Sequence, residues 1–433
     1  MSLPARLRAR LRAIRILEPL ANRDYRLLTA GAFVSLLGDG FYSVALAWQV
    51  YQISNVPTAL SVVGVAWTLP LVFFLLLGGV LTDRYDRRWL MIGADLVRAA
   101  AVGTLGLLSI THAIQLWHVL VLVAFVGAGD AFFNPASTAI VPDLLAAERL
   151  PQANALQGLV RPLMIRLIGP ALGGFVVAVL NPGSAFVVDA ASFLLSASML
   201  LAIRARPSHV ASSHGVRRAF AEMGEGFGFV AANPWCWATL VSAMLSLLVF
   251  IGPVQVLLPF LVKNHLHLGP AALGALYAVS GVGAILSALA VGQLGIPRLR
   301  ITLMYGSWTL GVALLAGYGL MGALWQGFVV AFATAGLFEV GSIIWTTLLQ
   351  ELVPRTLLGR VSSLDWLVST GLVPVSFALT APVAGWLGPQ ATLVAGGLLG
   401  AVLMGMLLFV PGVRDPERRR GPIRVRAGSA AEE

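Results

Sequence analysis

The chain has 433 residues, of which 58% are hydrophobic and only 11% charged, with a formal net charge of +10 and a mean hydropathy of +0.86. Soluble globular proteins carry roughly twice that charged fraction, so too little polar surface exists to cover a water-soluble core of this size. The single cysteine, Cys236, excludes an internal disulfide, and the only lysine, Lys263, lies outside any Gly-x4-Gly-Lys-Ser/Thr phosphate loop, which excludes an ATP-driven pump of that type.

Residues 1–26 form a basic arm with Arg6, Arg8, Arg10, Arg12 and Arg15. In so apolar a chain this arm reads as an anchor beside anionic lipid, not as a nucleic-acid tail. The apolar block that follows is too long for a signal-peptide core and has no evident cleavage site. Apolar runs then recur at 27–51, 58–82, 89–111, 116–141, 154–180 and 184–203, and again at 236–262, 271–294, 300–321, 324–349, 362–386 and 390–411. About 20 residues of helix cross a bilayer, and in hydrocarbon the backbone must satisfy its own hydrogen bonds. Twelve transmembrane helices are therefore predicted. Asn55–Pro57, Asn181–Pro182 and Gly388–Pro389 supply turn signals between spans.

Basic residues occupy alternate connections: Arg84, Arg87 and Arg88, then Arg149, then Arg204, Arg206, Arg217 and Arg218, then Arg298 and Arg300, then Arg355 and Arg360, then Arg414 and Arg418–Arg420. The other connections hold only Lys263. The positive-inside rule puts both termini in the cytoplasm of a multi-pass cell-membrane protein. The polar interval 204–233 separates six spans from six. It gives an N-terminal bundle (27–203), a linker, a C-terminal bundle (234–411) and a cytoplasmic tail (412–433). Within the linker, Phe220, Met223, Phe227 and Val230 recur at spacings of three and four, which predicts an amphipathic helix over 216–230. Gly79-Val-Leu-Thr-Asp83-Arg84 after span 2 is faintly echoed by Gly292-Gln-Leu-Gly-Ile-Pro-Arg298 after span 8, as a duplicated six-helix unit requires.

The stretch Gly79-Val80-Leu81-Thr82-Asp83-Arg84-Tyr85-Asp86-Arg87-Arg88 resembles the loop signature of the major facilitator superfamily, with Asp86 where the common pattern has glycine. Gly169-Pro170-Ala171-Leu172-Gly173-Gly174 in span 5 resembles the core of the antiporter motif of exporting members, without its upstream glycines. Asn134-Pro135-Ala136, Glu148–Asn154, Asp189–Phe193 and Leu358–Val361 are similar to the macrolide-efflux and enterobactin-exporter branches. The resemblance covers about residues 20–411. It implies an all-α membrane fold of two pseudo-symmetric six-helix bundles, with helices 1, 4, 7 and 10 lining a central cavity. It also implies a cytoplasmic gate that would include Gly79, Asp83, Arg84, Arg87, Arg88 and Arg360. Span 4 lacks the arginine that many proton-coupled members carry there, so coupling residues must be sought elsewhere.

An ionisable group in hydrocarbon is a functional candidate by default. Asp39, Asp130 and Glu339 fall at comparable depth on spans 1, 4 and 10, and are the expected proton-coupling and cation-recognising groups. Arg161 and Arg166 on span 5 either counter these acids or bind an anionic substrate; the sequence favours neither. Asp95 and Arg98 are spaced to pair on span 3, and are expected near the inner gate. Asp189 and Asp365 are expected near span ends in structural roles. Trp67 and Trp345 lie deep, as cavity lining or ordinary packing. No catalytic constellation, metal-ligand spacing or cofactor motif is present in the sequence, so no enzyme is expected.

These readings converge on secondary active export of small amphipathic, drug- or macrolide-like molecules by alternating access. Protons, membrane lipid and the small-molecule substrate are the expected partners, and the protein is expected to act as a monomer. Export of a siderophore or other metabolite is the alternative within transport. A transporter-like sensor or scaffold is the alternative outside it.

Overall fold

The computed structural model describes residues 15–204, 216–354 and 357–418, with the backbone alone at 83, 84 and 216–223 among others. Twelve helices long and apolar enough to cross a membrane are present among them. They are α1 (Arg23–Ile53), α2 (Pro57–Arg84), α3 (Arg87–Ile110), α4 (Leu116–Leu144), α5 (Gln152–Val179), α6 (Pro182–Leu201), α7 (Pro234–Asn264), α8 (Pro270–Leu294), α9 (Arg300–Leu320), α10 (Leu324–Leu352), α11 (Leu358–Leu387) and α12 (Pro389–Phe409). Each predicted span corresponds to one helix. Several helices extend beyond the apolar run, as α11 does to take in Arg360, because backbone bonding continues where hydropathy stops.

The turn signals act as expected. Pro57, Pro182, Pro234, Pro270 and Pro389 all stand in first turns, where a missing N–H costs nothing. The Asn22 side chain caps α1 by accepting from the N–H groups of Asp24 (2.9 Å) and Tyr25 (3.2 Å). Between α11 and α12, Gly388 adopts a φ of +86°, a backbone region that favours glycine.

Packing repeats between the halves. In the first, α2 packs on α4, α3 on α6 and α4, and α1 on α6 and α5. In the second, α8 packs on α10, α9 on α12 and α10, and α7 on α12 and α11. Every pair in the first set has its counterpart six helices later, and the two principal contacts between halves, α5 with α8 and α2 with α11, also exchange under that shift. A pseudo-two-fold axis thus relates the bundles. The linker carries a helix, Val216–Ala232, against the starts of α7 and α11. Of its predicted apolar face, Val230 is buried and Phe227 exposed; Phe220 and Met223 lie outside the described side chains.

Candidate functional site

Polar chemistry concentrates inside the N-terminal bundle, around Arg98. This residue lies midway along α3 and is 3% exposed. Its guanidinium pairs with Asp95 one turn earlier and with Asp130 Oδ1 on α4 at 3.1 Å. It is sandwiched by Phe133 and Phe193, whose ring centres lie 4.2 and 4.3 Å from its central carbon. Gly129 admits its aliphatic stem: a Cβ there would lie 2.7 Å from Arg98 Cγ. Asp130 Oδ2 accepts from Trp67 Nε1 at 3.1 Å, so both oxygens of that carboxylate are engaged. Asp95 and Arg98 do pair, but at midspan and joined to Asp130, not beside the terminal loops. A spacing of three on one α-helical face fixes the pair; only the fold could add α4.

Asp39 on α1 is partly buried and, among the described residues, receives no hydrogen bond or ion pair. Asp189, expected near a span end, is only 1% exposed and packs where α6 crosses α1. It accepts a 3.3 Å hydrogen bond from Ser192, leaving Oδ2 without a partner. The absence of a side chain at Gly38 makes this crossing possible: a Cβ there would lie 2.9 Å from Ser192 Cβ.

Glu339 stands apart from this cluster, on α10 in the opposite half. It pairs with Arg166 of α5 across the seam at 3.7 Å. Arg161 and Arg166 are both exposed, and Arg166 reaches Glu339. Residues five apart on an α-helix point about 140° away from each other. Here, however, Leu163–Ile168 forms a π-turn, whose i+5 bonding swings position 166 back towards the face of 161. Pro170 explains part of this. Lacking an N–H, it cannot bond the Arg166 carbonyl, and that carbonyl instead meets α8 where Gly281 has no side chain (2.9 Å to a Cβ there). Pro162 and Pro170 bracketing the turn were the available sequence signal.

The antiporter-like stretch serves two seams at once. Gly169 and Gly173 press against α1, with Cβ positions 2.8 Å from Gly40 Cα and 2.6 Å from Phe41 Cα. Gly174 and the Pro170 carbonyl press against Gly274 of α8, at 2.9 Å from Gly274 Cα in the case of Gly174. In the last turns of α2, close approach belongs to Gly78, beside the Ala131 carbonyl, whereas a Cβ on Gly79 would meet nothing within 4 Å. Asp86 caps α3 by accepting from Arg88 N–H at 2.9 Å, which accounts for an aspartate where the pattern has glycine. Arg87 donates to the Ala139 carbonyl (2.8 Å) and Asp143 (2.6 Å), and Arg88 to the Leu201 carbonyl (2.7 Å). These arginines tie the loop to the ends of α4 and α6. Arg360 pairs with Glu225 of the linker helix. The side chains of Asp83 and Arg84 lie outside those described. Trp345 donates to Asp365 at 3.2 Å, so both deep tryptophans are carboxylate donors.

The halves are bonded together at the end remote from the termini. Tyr51 Oη donates to the Val256 carbonyl at 2.6 Å, and Lys263 Nζ donates to the Tyr51 carbonyl. Asn55 and Asn264 exchange side-chain hydrogen bonds of 2.6 and 3.2 Å. Sequence reasoning missed this set, because the uncharged Tyr51, Asn55 and Asn264 carry no signal until the fold opposes them.

Residues 14–418 match the family model described as transmembrane secretion effector. Macrolide efflux protein A of Streptococcus pyogenes is 26% identical over 373 residues, covering 86% of this chain and 91% of that protein. The enterobactin exporter EntS of Escherichia coli is 29% identical over 419 residues, covering 94% and 96%. A solved bacterial homologue of the iron transporter ferroportin, in an inward-facing state, superposes with a TM-score of 0.63 at 16% identity, covering 89% and 98%. Twelve membrane helices in two repeated halves and a family match over nearly the whole length make this chain a membrane transporter of the major facilitator superfamily, in its transmembrane secretion effector family.

Proposed function

We propose that the protein exports small amphipathic molecules from the cytoplasm by alternating access, driven by proton influx. The observation that carries this reading is the set of bonds that joins the halves at one end. The hydrogen bonds of Tyr51, Asn55, Lys263 and Asn264 join the halves at the end remote from the termini, and the positive-inside rule makes that end extracellular. Arg161 and Arg166, towards the other end, are exposed. The molecule is then loaded from the cytoplasm, and export follows when the outer bonds break and the inner end closes. Asp39, Asp130 and Glu339 are the acids through which proton movement is coupled, and Glu339 meets Arg166 across the seam.

The relatives named for macrolide efflux and for enterobactin export support an outward direction and a sizeable amphipathic cargo. The enterobactin exporter covers slightly more of the chain, so export of a siderophore-like metabolite is the second reading. Efflux from energised cells, measured for a panel of macrolides and catecholate metabolites with and without a protonophore, tests both. Protonophore-sensitive efflux of at least one class is expected, and accumulation indifferent to both protein and protonophore would refute it.

A further inference from the structure

A cavity of about 670 Å³ lies at the end of the molecule remote from the termini, between the ends of α1, α3 and α5 and the start of α6. Pro270, in the first turn of α8, also lines it, so its wall takes in a residue of the second half. The volume is that of an ordinary small-molecule site. It is separate from the charged cluster at midspan: Gln49 in its wall stands ten residues after Asp39, about 15 Å along α1.

The lining is polar without being charged. Gln49 and Gln52 share a face of α1, and Ser109, His112 and Asn181 join them from α3, the turn after it and the cap of α6. Among the described residues no carboxylate, arginine or lysine lines the cavity. Lys263 lies 5.9 Å from the centre of the Trp48 ring, but it donates to the Tyr51 carbonyl and takes no part in the lining. Gln49 supplies the sharpest signal. It is only 6% exposed, and its Oε1 accepts from Ser109 Oγ at 2.5 Å. Its NH2 group bonds to no described residue, yet it is not sealed from solvent. Burying an amide with an unmet donor is unfavourable, and this one opens on the cavity. Asn181 is placed alike: its Oδ1 caps α6 by accepting from the Ser184 N–H at 2.9 Å, and its NH2 group bonds to no described residue.

A charged ligand would lose its hydration here without a counter-charge. Amides present a donor and an acceptor side by side, which suits hydroxyl groups that do both. Trp48, Ile53 and Val177 add apolar surface for the carbon skeleton between those hydroxyls. We propose that this cavity binds a neutral, hydroxyl-rich small molecule, a saccharide or glycoside, with Gln49, Gln52 and Asn181 bonding its hydroxyls and Trp48 against its ring. Loop charge places the site on the extracellular side. It rests neither on the proposed export nor on the identity of the cargo.

Saturation-transfer NMR on the full chain in lipid nanodiscs, with empty nanodiscs as the blank, tests the site. The probes are glucose, sucrose and raffinose, with glucosamine and glucuronate as charged counterparts. Transfer above the blank to at least one neutral sugar, and weaker transfer to both charged ones, is expected. Gln49→Leu combined with Ser109→Ala removes both partners of the internal bond and leaves neither orphaned. Binding in that variant should weaken about tenfold, the loss of one well-made hydrogen bond. Ala178→Trp fills the cavity from an exposed position in its lining and should abolish binding; circular dichroism checks that each variant keeps its helices. Transfer no greater than the blank for all three neutral sugars would overturn the proposal. So would equal or stronger transfer to a charged sugar, or unchanged binding in either folded variant.

Discussion

Arg98 shows how one buried cation organises a membrane interior. Its partners come from two helices and its aromatic sandwich from two, α4 and α6, so a single side chain ties α3 to both neighbours. Removing it strands Asp95 and Asp130 in hydrocarbon. Arg98→Gln is expected to destabilise the protein by about 3–5 kcal/mol, read as a lower melting temperature in detergent, and Asp95→Asn in the same background should recover part of that loss. An unchanged melting temperature would mean that the carboxyls take up protons without cost. Glycines give a second contrast at this scale. Gly78→Ala drives a Cβ into the Ala131 carbonyl and should cost about 1–3 kcal/mol, whereas Gly79→Ala enters open space and should stay within about 0.5 kcal/mol. The motif singles out Gly79, one position after the glycine that makes the close approach, because a motif records that a glycine is needed without saying which neighbour it meets. The pairing of Asp95 with Arg98 was legible from helical spacing. Asp189 was not, since depth judged from the ends of an apolar run says nothing about which helix crosses there.

At the scale of elements, hydropathy and loop charge sufficed for the twelve helices, because a bilayer imposes both their length and their internal hydrogen bonding. They could not reveal that α5 departs from α-helical winding. The π-turn at Leu163–Ile168 carries Arg166 to Glu339, and it is bounded by a proline that cannot donate to Arg166. Pro170→Ala restores that donor. The π-turn is then expected to relax towards regular helix, rotating Arg166 away from Glu339 and weakening the cross-half pair. The readout is transport: Pro170→Ala and Glu339→Gln should impair gradient-driven uptake to a similar degree, and combining them should add little. Strictly additive effects would show that the turn and the pair act independently.

For the whole molecule, the proposed alternating access needs a second arrangement. Breaking the bonds between the halves at the end remote from the termini must accompany opening there. Asn55→Cys with Asn264→Cys should therefore cross-link readily in the resting protein, since the native side chains already touch and the only other cysteine, Cys236, is buried. Cross-linking should stop transport, and a reductant should restore it. The most direct test of proton-driven export uses liposomes of acidic lumen that carry the protein with its cytoplasmic face outward, compared with protein-free liposomes. Uptake of a labelled macrolide above the protein-free level, abolished by a protonophore and by Asp39→Asn, is the predicted result. Uptake that survives the protonophore, or a rate equal to that of bare liposomes across the substrate panel, would contradict it.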